Sequence, residues 1–213
     1  MSGQEKKKLP GGIYGITAEK FSKDRGNIEV VRAMIAGGCR VIQYREKRPP
    51  KDFCDMLAEC REIRRLTREA GVLLIVNDYP TLARLVEADG VHVGQEDWPV
   101  PELRQLLGPD MIIGLSTHGP DQMRAAVAAG ADYIGVGPIF ETHTKDDVVA
   151  PVGLEYVAHA AAHSPVPFAA LGGVKEHNIR EVIARGAKTV CLVTDIVEAD
   201  DIAEKVRRLQ AMF

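Results

Sequence analysis

Residues 88–96 read ADGVHVGQE, and the same profile returns as GCRVIQYRE at 38–46, ADYIGVGPI at 131–139 and AKTVCLVTD at 187–195. Each copy opens near a small residue, runs through aliphatic side chains and ends abruptly in polar or turn-forming residues. The copies start 50, 43 and 56 residues apart. Each follows a stretch whose apolar positions recur at three and four residues and whose end is marked by glycine: NIEVVRAMIAGG, TLARLVEADG, QMRAAVAAGA and NIREVIARGA. That period and stop predict helices, so helix followed by strand is the recurring unit.

Between the copies lie further apolar runs, GIYGIT from residue 12, VLLIVND from 72, MIIGLSTH from 111 and VPFAALGG from 166. With them the chain alternates strand and helix throughout, eight strands at roughly 25 residues per unit. Runs that are apolar without strict alternation suit parallel strands covered on both faces. Eight of them predict a closed (β/α)8 TIM barrel. A flavodoxin-like or Rossmann sheet is the alternative, and no GxGxxG marks a first strand-to-helix turn.

The chain has 213 residues, 46% of them hydrophobic, enough for one sizeable core and one domain over residues 11–213. Its 27 Lys and Arg against 30 Asp and Glu leave a net charge of −3, which offers no global attraction to nucleic acid or an anionic membrane. Any anion site must be local. The four cysteines show no CxxC and no zinc spacing, and read as reduced thiols of a cytoplasmic protein. The opening MSGQEKKKLP, polar and lysine-rich, reads as a flexible tail over residues 1–10 rather than a signal peptide or anchor. A homo-oligomer is left open.

In such a barrel the catalytic face is built where strands end. Those ends carry Gln43, Arg45 and Lys47; Asn77 and Asp78; His92, Gln95 and Asp97; Ser116, Thr117 and His118; Thr142, Thr144 and Lys145; Gly172 and Gly173; and Thr194. Gln43, Arg45 and Lys47 sit at i, i+2 and i+4, so an extended backbone points all three one way, as gripping a multiply charged anion requires. With Lys145 and the Ser116 hydroxyl they make a candidate diphosphate cage; a solvated rim is the plainer reading. Asp78 and Asp97 end adjacent strands, and two carboxylates facing a diphosphate call for a bridging hard cation, Mg²⁺. Alternatively Asp78 caps the following helix. The LGGV turn and the VTDI segment offer backbone N–H groups of the kind that bind phosphomonoesters in barrels.

The remaining histidines and aromatics point to less. His92, inside a strand, reads as packed or hydrogen-bonded, while His118 reads as rim-facing. His143, His159, His163 and His177 read as loop or helix-surface residues, and none of the six has metal-ligand spacing. Trp98 and Tyr44 read as packing or lid residues.

QYREK at 43–47, ND at 77–78, GVHVGQED at 90–97, GLSTH at 114–118, DYIGVGPIF with T-x-T-K over 132–145, APVGLE at 150–155 and LGGV at 171–174 resemble, in order and along nearly the whole chain, the thiamine phosphate synthase family. The resemblance implies a (β/α)8 barrel that couples 4-amino-2-methyl-5-hydroxymethylpyrimidine diphosphate to a thiazole phosphate, with Mg²⁺, releasing diphosphate. It implies that Gln43, Arg45, Lys47, Asn77, Ser116 and Lys145 hold the pyrimidine diphosphate, that Arg45, Lys47, Ser116 and Lys145 act in catalysis, and that Asp78 and Asp97 bind Mg²⁺. It further implies that Thr142 to Thr144, Gly173, Val193 and Thr194 hold the thiazole phosphate.

Two positions depart from that pattern. Glu141 stands where the family commonly has proline, and Thr194-Asp195 replaces the usual Ser-Ala, which puts a carboxylate beside the phosphate loop. Asp195 is therefore expected to turn outward, capping the last helix or pairing with a cation. The rival readings are a thiazole tautomerase-like barrel, whose relatives generally lack the ND and GQED carboxylates, and a non-catalytic sensor of phosphate ligands.

Overall fold

A computed structural model describes residues 8–46, 51–142, 144 and 149–213. Within them the aliphatic runs form β1 (Gly12–Ile16), β2 (Val41–Tyr44), β3 (Leu73–Asn77), β4 (Gly90–Val93), β5 (Ile112–Thr117), β6 (Tyr133–Val136), β7 (Phe168–Ala170) and β8 (Thr189–Leu192). Each strand pairs with the next in parallel, and β8 closes on β1 through a register from Gly12↔Thr189 to Gly15↔Leu192. The sheet has no open edge, which removes the doubly wound alternative.

The apolar runs lack alternation because both faces of the sheet are covered. On β3, Leu74 and Ile75 point to opposite sides and both are wholly buried. Leu74 joins the cluster under the helices, whereas Ile75 joins Tyr14, Val41, Ile112, Tyr133 and Cys191 inside the barrel. Burying a side chain of this size contributes about 1.5–3 kcal/mol, so both faces are held by the same force.

The outer layer comprises α1 (Asn27–Ala36), α2 (Phe53–Glu69), α3 (Pro80–Leu85), α4 (Val100–Leu107), α5 (Pro120–Ala128), α6 (Gly153–His163), α7 (Ile179–Ala184) and α9 (Ile202–Gln210), with the one-turn α8 (Thr194–Val197) directly after β8. Local sequence sets their starts. Asp52 and Asp201 cap α2 and α9 through side-chain bonds to the amides of Asp55 and Glu204, at 2.9 and 2.8 Å. Proline opens α3, α4 and α5, where its missing N–H costs nothing.

Residues 1–7 of the expected tail lie outside the described residues. Beyond them, Leu9 packs against the barrel interior, and the Pro10 carbonyl accepts the Thr189 hydroxyl at 2.8 Å. Among the described residues no helix is long and apolar enough to cross a membrane.

Candidate active site

Period-two alternation sends Val41 and Gln43 into the barrel while Ile42 and Tyr44 face the helices. Tyr44 is a packing residue whose hydroxyl donates to Glu59 Oε2 of α2 at 2.6 Å. The same parity on β3 sends Ile75 and Asn77 inward. Asn77 is 4% exposed, and among the described residues its Nδ2 has no hydrogen-bond partner. A buried donor left without an acceptor costs about 1–3 kcal/mol, so it marks a place where a ligand oxygen belongs.

Asp78 follows in the left-handed region at φ 60°, a conformation rare outside glycine and concentrated at functional sites. Its amide donates to the His92 carbonyl of β4 at 2.9 Å. The Asp97 carboxylate folds back onto the same strand end, where Oδ2 accepts from the Gly94 amide at 2.7 Å. The two carboxylate residues thus belong to one corner of the rim. The cap of α3 is Tyr79, with no side-chain cap bond, so the helix-capping reading of Asp78 is not realised.

Below this rim runs a buried polar chain that the sequence reading did not connect. Gln43 Nε2 donates to the Tyr14 hydroxyl at 3.0 Å, and the Tyr14 and Tyr133 hydroxyls lie 3.1 Å apart. Tyr133 Oη is 2.8 Å from His92 Nδ1, and His92 Nε2 is 2.9 Å from Ser116 Oγ. His92 is the hydrogen-bonded strand histidine the sequence suggests. Gln95 donates to the Ser116 carbonyl at 2.6 Å, which pins the loop after β4 to the end of β5.

The opposite side of the rim is built on glycine. Residues 139–142 lie along residues 171–173, with the amides of Ile139 and Phe140 donating to the carbonyls of Leu171 and Gly172, both at 3.0 Å. A Cβ on Gly173 would sit 2.5 Å from the Glu141 carbonyl oxygen, so only glycine permits this approach. Thr142 and Thr144 stand together there, hydroxyl to hydroxyl at 3.2 Å. Asn178 fixes the turn after β7 by accepting from the Lys175 amide at 2.7 Å and donating to the Gly173 carbonyl at 3.1 Å. The turn carries the Lys175 ammonium to the Thr194 hydroxyl, 2.6 Å away. Lys175 was missed in the sequence, although its place directly after LGGV was a usable signal.

Asp195 turns away, as expected. Its Oδ2 accepts from the Glu176 amide at 3.0 Å and from Lys205 Nζ at 3.4 Å. Lys205 and Arg208 also engage Glu176, at 2.7 and 3.2 Å, and hold its carboxyl below the usual range, Lys205 contributing most. His118 is less free than its rim position suggested, since Nδ1 donates to the Gly137 carbonyl at 2.5 Å. Trp98 is 52% exposed rather than packed.

Two groups of oxygen- and nitrogen-bearing residues therefore stand on opposite arcs of the barrel's C-terminal rim. Gln43, Arg45, Asn77, Asp78, Asp97 and Ser116 end β2 to β5, and Thr142, Thr144, Gly173, Lys175, Val193 and Thr194 follow β6 to β8. Lys47, His143 and Lys145 lie outside the described residues. Among the described residues no group of three or more His, Cys, Asp or Glu gathers as a self-sufficient metal centre.

The profile of the thiamine monophosphate synthase family matches residues 13–196. The chain belongs to this family. It is 58% identical over 205 residues to the thiamine-phosphate synthase of Pelotomaculum thermopropionicum, covering 96% of this chain and 93% of that one. It is 54% identical to the corresponding enzyme of Caldicellulosiruptor saccharolyticus, covering 92% and 88%. Among solved structures, a thiamine phosphate pyrophosphorylase from Pyrococcus furiosus superposes with a TM-score of 0.86 at 30% identity, covering 94% of both chains. Membership in the thiamine monophosphate synthase family accounts for the motif series found in the sequence, and among the described residues the barrel places Gln43 and Arg45, the ND pair, GVHVGQED, GLSTH and LGGV at the ends of β2, β3, β4, β5 and β7.

Proposed function

We infer that this chain is a transferase that joins 4-amino-2-methyl-5-hydroxymethylpyrimidine diphosphate to thiazole phosphate, forming thiamine phosphate and diphosphate. Homology to thiamine-phosphate synthases over nearly the whole chain carries the reading. The two-sided mouth supports it, since the reaction brings together one diphosphate and one phosphomonoester.

In the proposed reaction the carbon–oxygen bond to the diphosphate breaks, the electron pair leaves with that oxygen, and the thiazole nitrogen closes on the pyrimidine methylene cation. No proton need be removed to form the new bond, so the protein's task is alignment and charge stabilisation. Gln43, Arg45, Asn77 and Ser116, together with Lys47 and Lys145, are assigned to the pyrimidine diphosphate. The Asn77 Nδ2, buried and without a partner among the described residues, is the observation that favours an oxygen-bearing ligand on this side. Thr142, Thr144, Gly173, Val193 and Thr194 are assigned to the thiazole phosphate, and Lys175 is added to them for its contact with Thr194.

Asp78 and Asp97 would hold Mg²⁺. Two carboxylates at one corner, with no third His, Cys, Asp or Glu gathered with them among the described residues, fit an ion that completes its octahedron with phosphate oxygens and water. When bound it would neutralise the departing diphosphate. Residues 11–213 are proposed to form one catalytic domain behind an N-terminal extension of residues 1–10. The test is to incubate the protein with both substrates and Mg²⁺ and follow diphosphate. Release only when both substrates are present supports the synthase; thiazole isomerisation without diphosphate points to a tautomerase, and tight phosphate binding without turnover to a sensor.

A further inference from the structure

We propose that Gln43, Tyr14, Tyr133 and His92 form a one-way hydrogen-bond chain that turns the Ser116 hydroxyl proton toward the diphosphate of the substrate. The proposal rests on the transferase reading for the identity of that ligand; the direction of the chain rests on the orientation of the Gln43 amide, with Nε2 toward Tyr14, and on donor and acceptor chemistry.

The direction follows from the first member. Gln43 Nε2 can only donate, so the Tyr14 oxygen accepts from it at 3.0 Å. The only other described partner of the Tyr14 hydroxyl is Tyr133 Oη at 3.1 Å, so the Tyr14 proton goes there. Tyr133, having accepted, sends its own proton to His92 Nδ1 at 2.8 Å. An imidazole that accepts at Nδ1 carries its proton on Nε2, and that N–H points at Ser116 Oγ, 2.9 Å away. Ser116 Oγ is thereby an acceptor within the barrel, and its O–H is left to donate outward, at the strand end where the anion is assigned. Each link polarises the next in a site with little water.

The barrel is shaped around this chain. Tyr14, Tyr133, Gln43, His92 and Ser116 are all at most 8% exposed. A Cβ on Gly114 would lie 2.2 Å from the Tyr133 ring, and one on Gly135 would lie 3.2 Å from His92 Cε1. Glycines in β5 and β6 thus clear the space the two rings occupy. Burial raises the pKa of both phenols well above their ordinary values, so neither ionises and reverses the chain at neutral pH.

The deciding experiment is nitrogen-15 NMR of the full chain labelled at histidine, with the His92 signals assigned from a His92→Asn variant. The expected result at pH 8 is a single neutral tautomer, with Nδ1 unprotonated and Nε2 bearing the proton. In Tyr133→Phe, Nδ1 loses its donor and the signals should move to a tautomer mixture, while kcat falls about tenfold and KM for each substrate stays within about threefold, the pattern of an interaction made mainly in the transition state. Tyr14→Phe should show a smaller loss in the same direction. A wild-type His92 protonated at Nδ1, or as imidazolium, would overturn the proposal, because Ser116 would then face a reversed or broken chain. Unchanged kcat in Tyr133→Phe would overturn the role in turnover. Should the Nε2–H tautomer be found in a protein that releases no diphosphate from the two substrates, the transferase reading fails and the direction of the chain stands.

Discussion

The Lys175 ammonium and the Thr194 hydroxyl meet at 2.6 Å across the ends of β7 and β8. The acids nearest in sequence are engaged elsewhere, Glu176 with Lys205 and Arg208 and Asp195 with Lys205. No carboxylate among the described residues pairs with Lys175, so its charge remains available to an anion at the loop where the thiazole phosphate is assigned.

Lys175→Ala should therefore raise KM for the thiazole phosphate about tenfold or more, since a charge-assisted hydrogen bond contributes roughly 1.5–3 kcal/mol. KM for the pyrimidine diphosphate should change little, and Lys175→Arg should recover part of the loss. Steady-state titration of each substrate checks this, and equal effects on both would remove Lys175 from the phosphate side.

Asp195→Ala should change KM for the thiazole phosphate by less than about threefold, under 1 kcal/mol. Its charge is already answered by Lys205 and the Glu176 amide. A tenfold improvement on mutation would show that the carboxylate opposes the substrate after all.

Asp78→Ala and Asp97→Ala should each lower turnover by roughly two to three decades, several kcal/mol of barrier, with unchanged circular dichroism. Excess EDTA should abolish wild-type activity, and added Mg²⁺ should restore it. Full rates in EDTA would sink the metal assignment.

Iodoacetamide at pH 8 should modify the folded protein at Cys54 and leave it active. Cys54 is exposed, whereas Cys39, Cys60 and Cys191 are buried and free. Burial raises all three, with Cys39 and Cys60 pushed up to about 12, so at pH 8 they stay protonated and unreactive. Peptide mapping reads this out; labelling of Cys39 or Cys60 without unfolding would contradict their burial.

Much of the site was legible in the chain because a strand end is a local event. A run such as VLLIVND shows by composition alone where the apolar stretch stops, and the barrel places every such stop on one face. Asp78 and Asp97 were readable as neighbours for the same reason, since consecutive parallel strands lie side by side. The direction in which Asp195 turns could also be anticipated, because a carboxylate facing a phosphate is electrostatically costly.

What the sequence by itself determined is therefore the number of strands, their parallel order and the residues standing at their ends. These follow from backbone periodicity and two-sided burial, which are properties of short segments. Only the tertiary structure decided which side chains meet across the barrel. Tyr14 and Tyr133, 119 residues apart, look like ordinary aromatic members of buried strands until closure brings their hydroxyls to 3.1 Å. Lys175 reads as a surface lysine until the Gly173 turn and Asn178 aim it at Thr194. Such contacts depend on the registers and turn angles of several elements at once, and those are set by how the whole core packs.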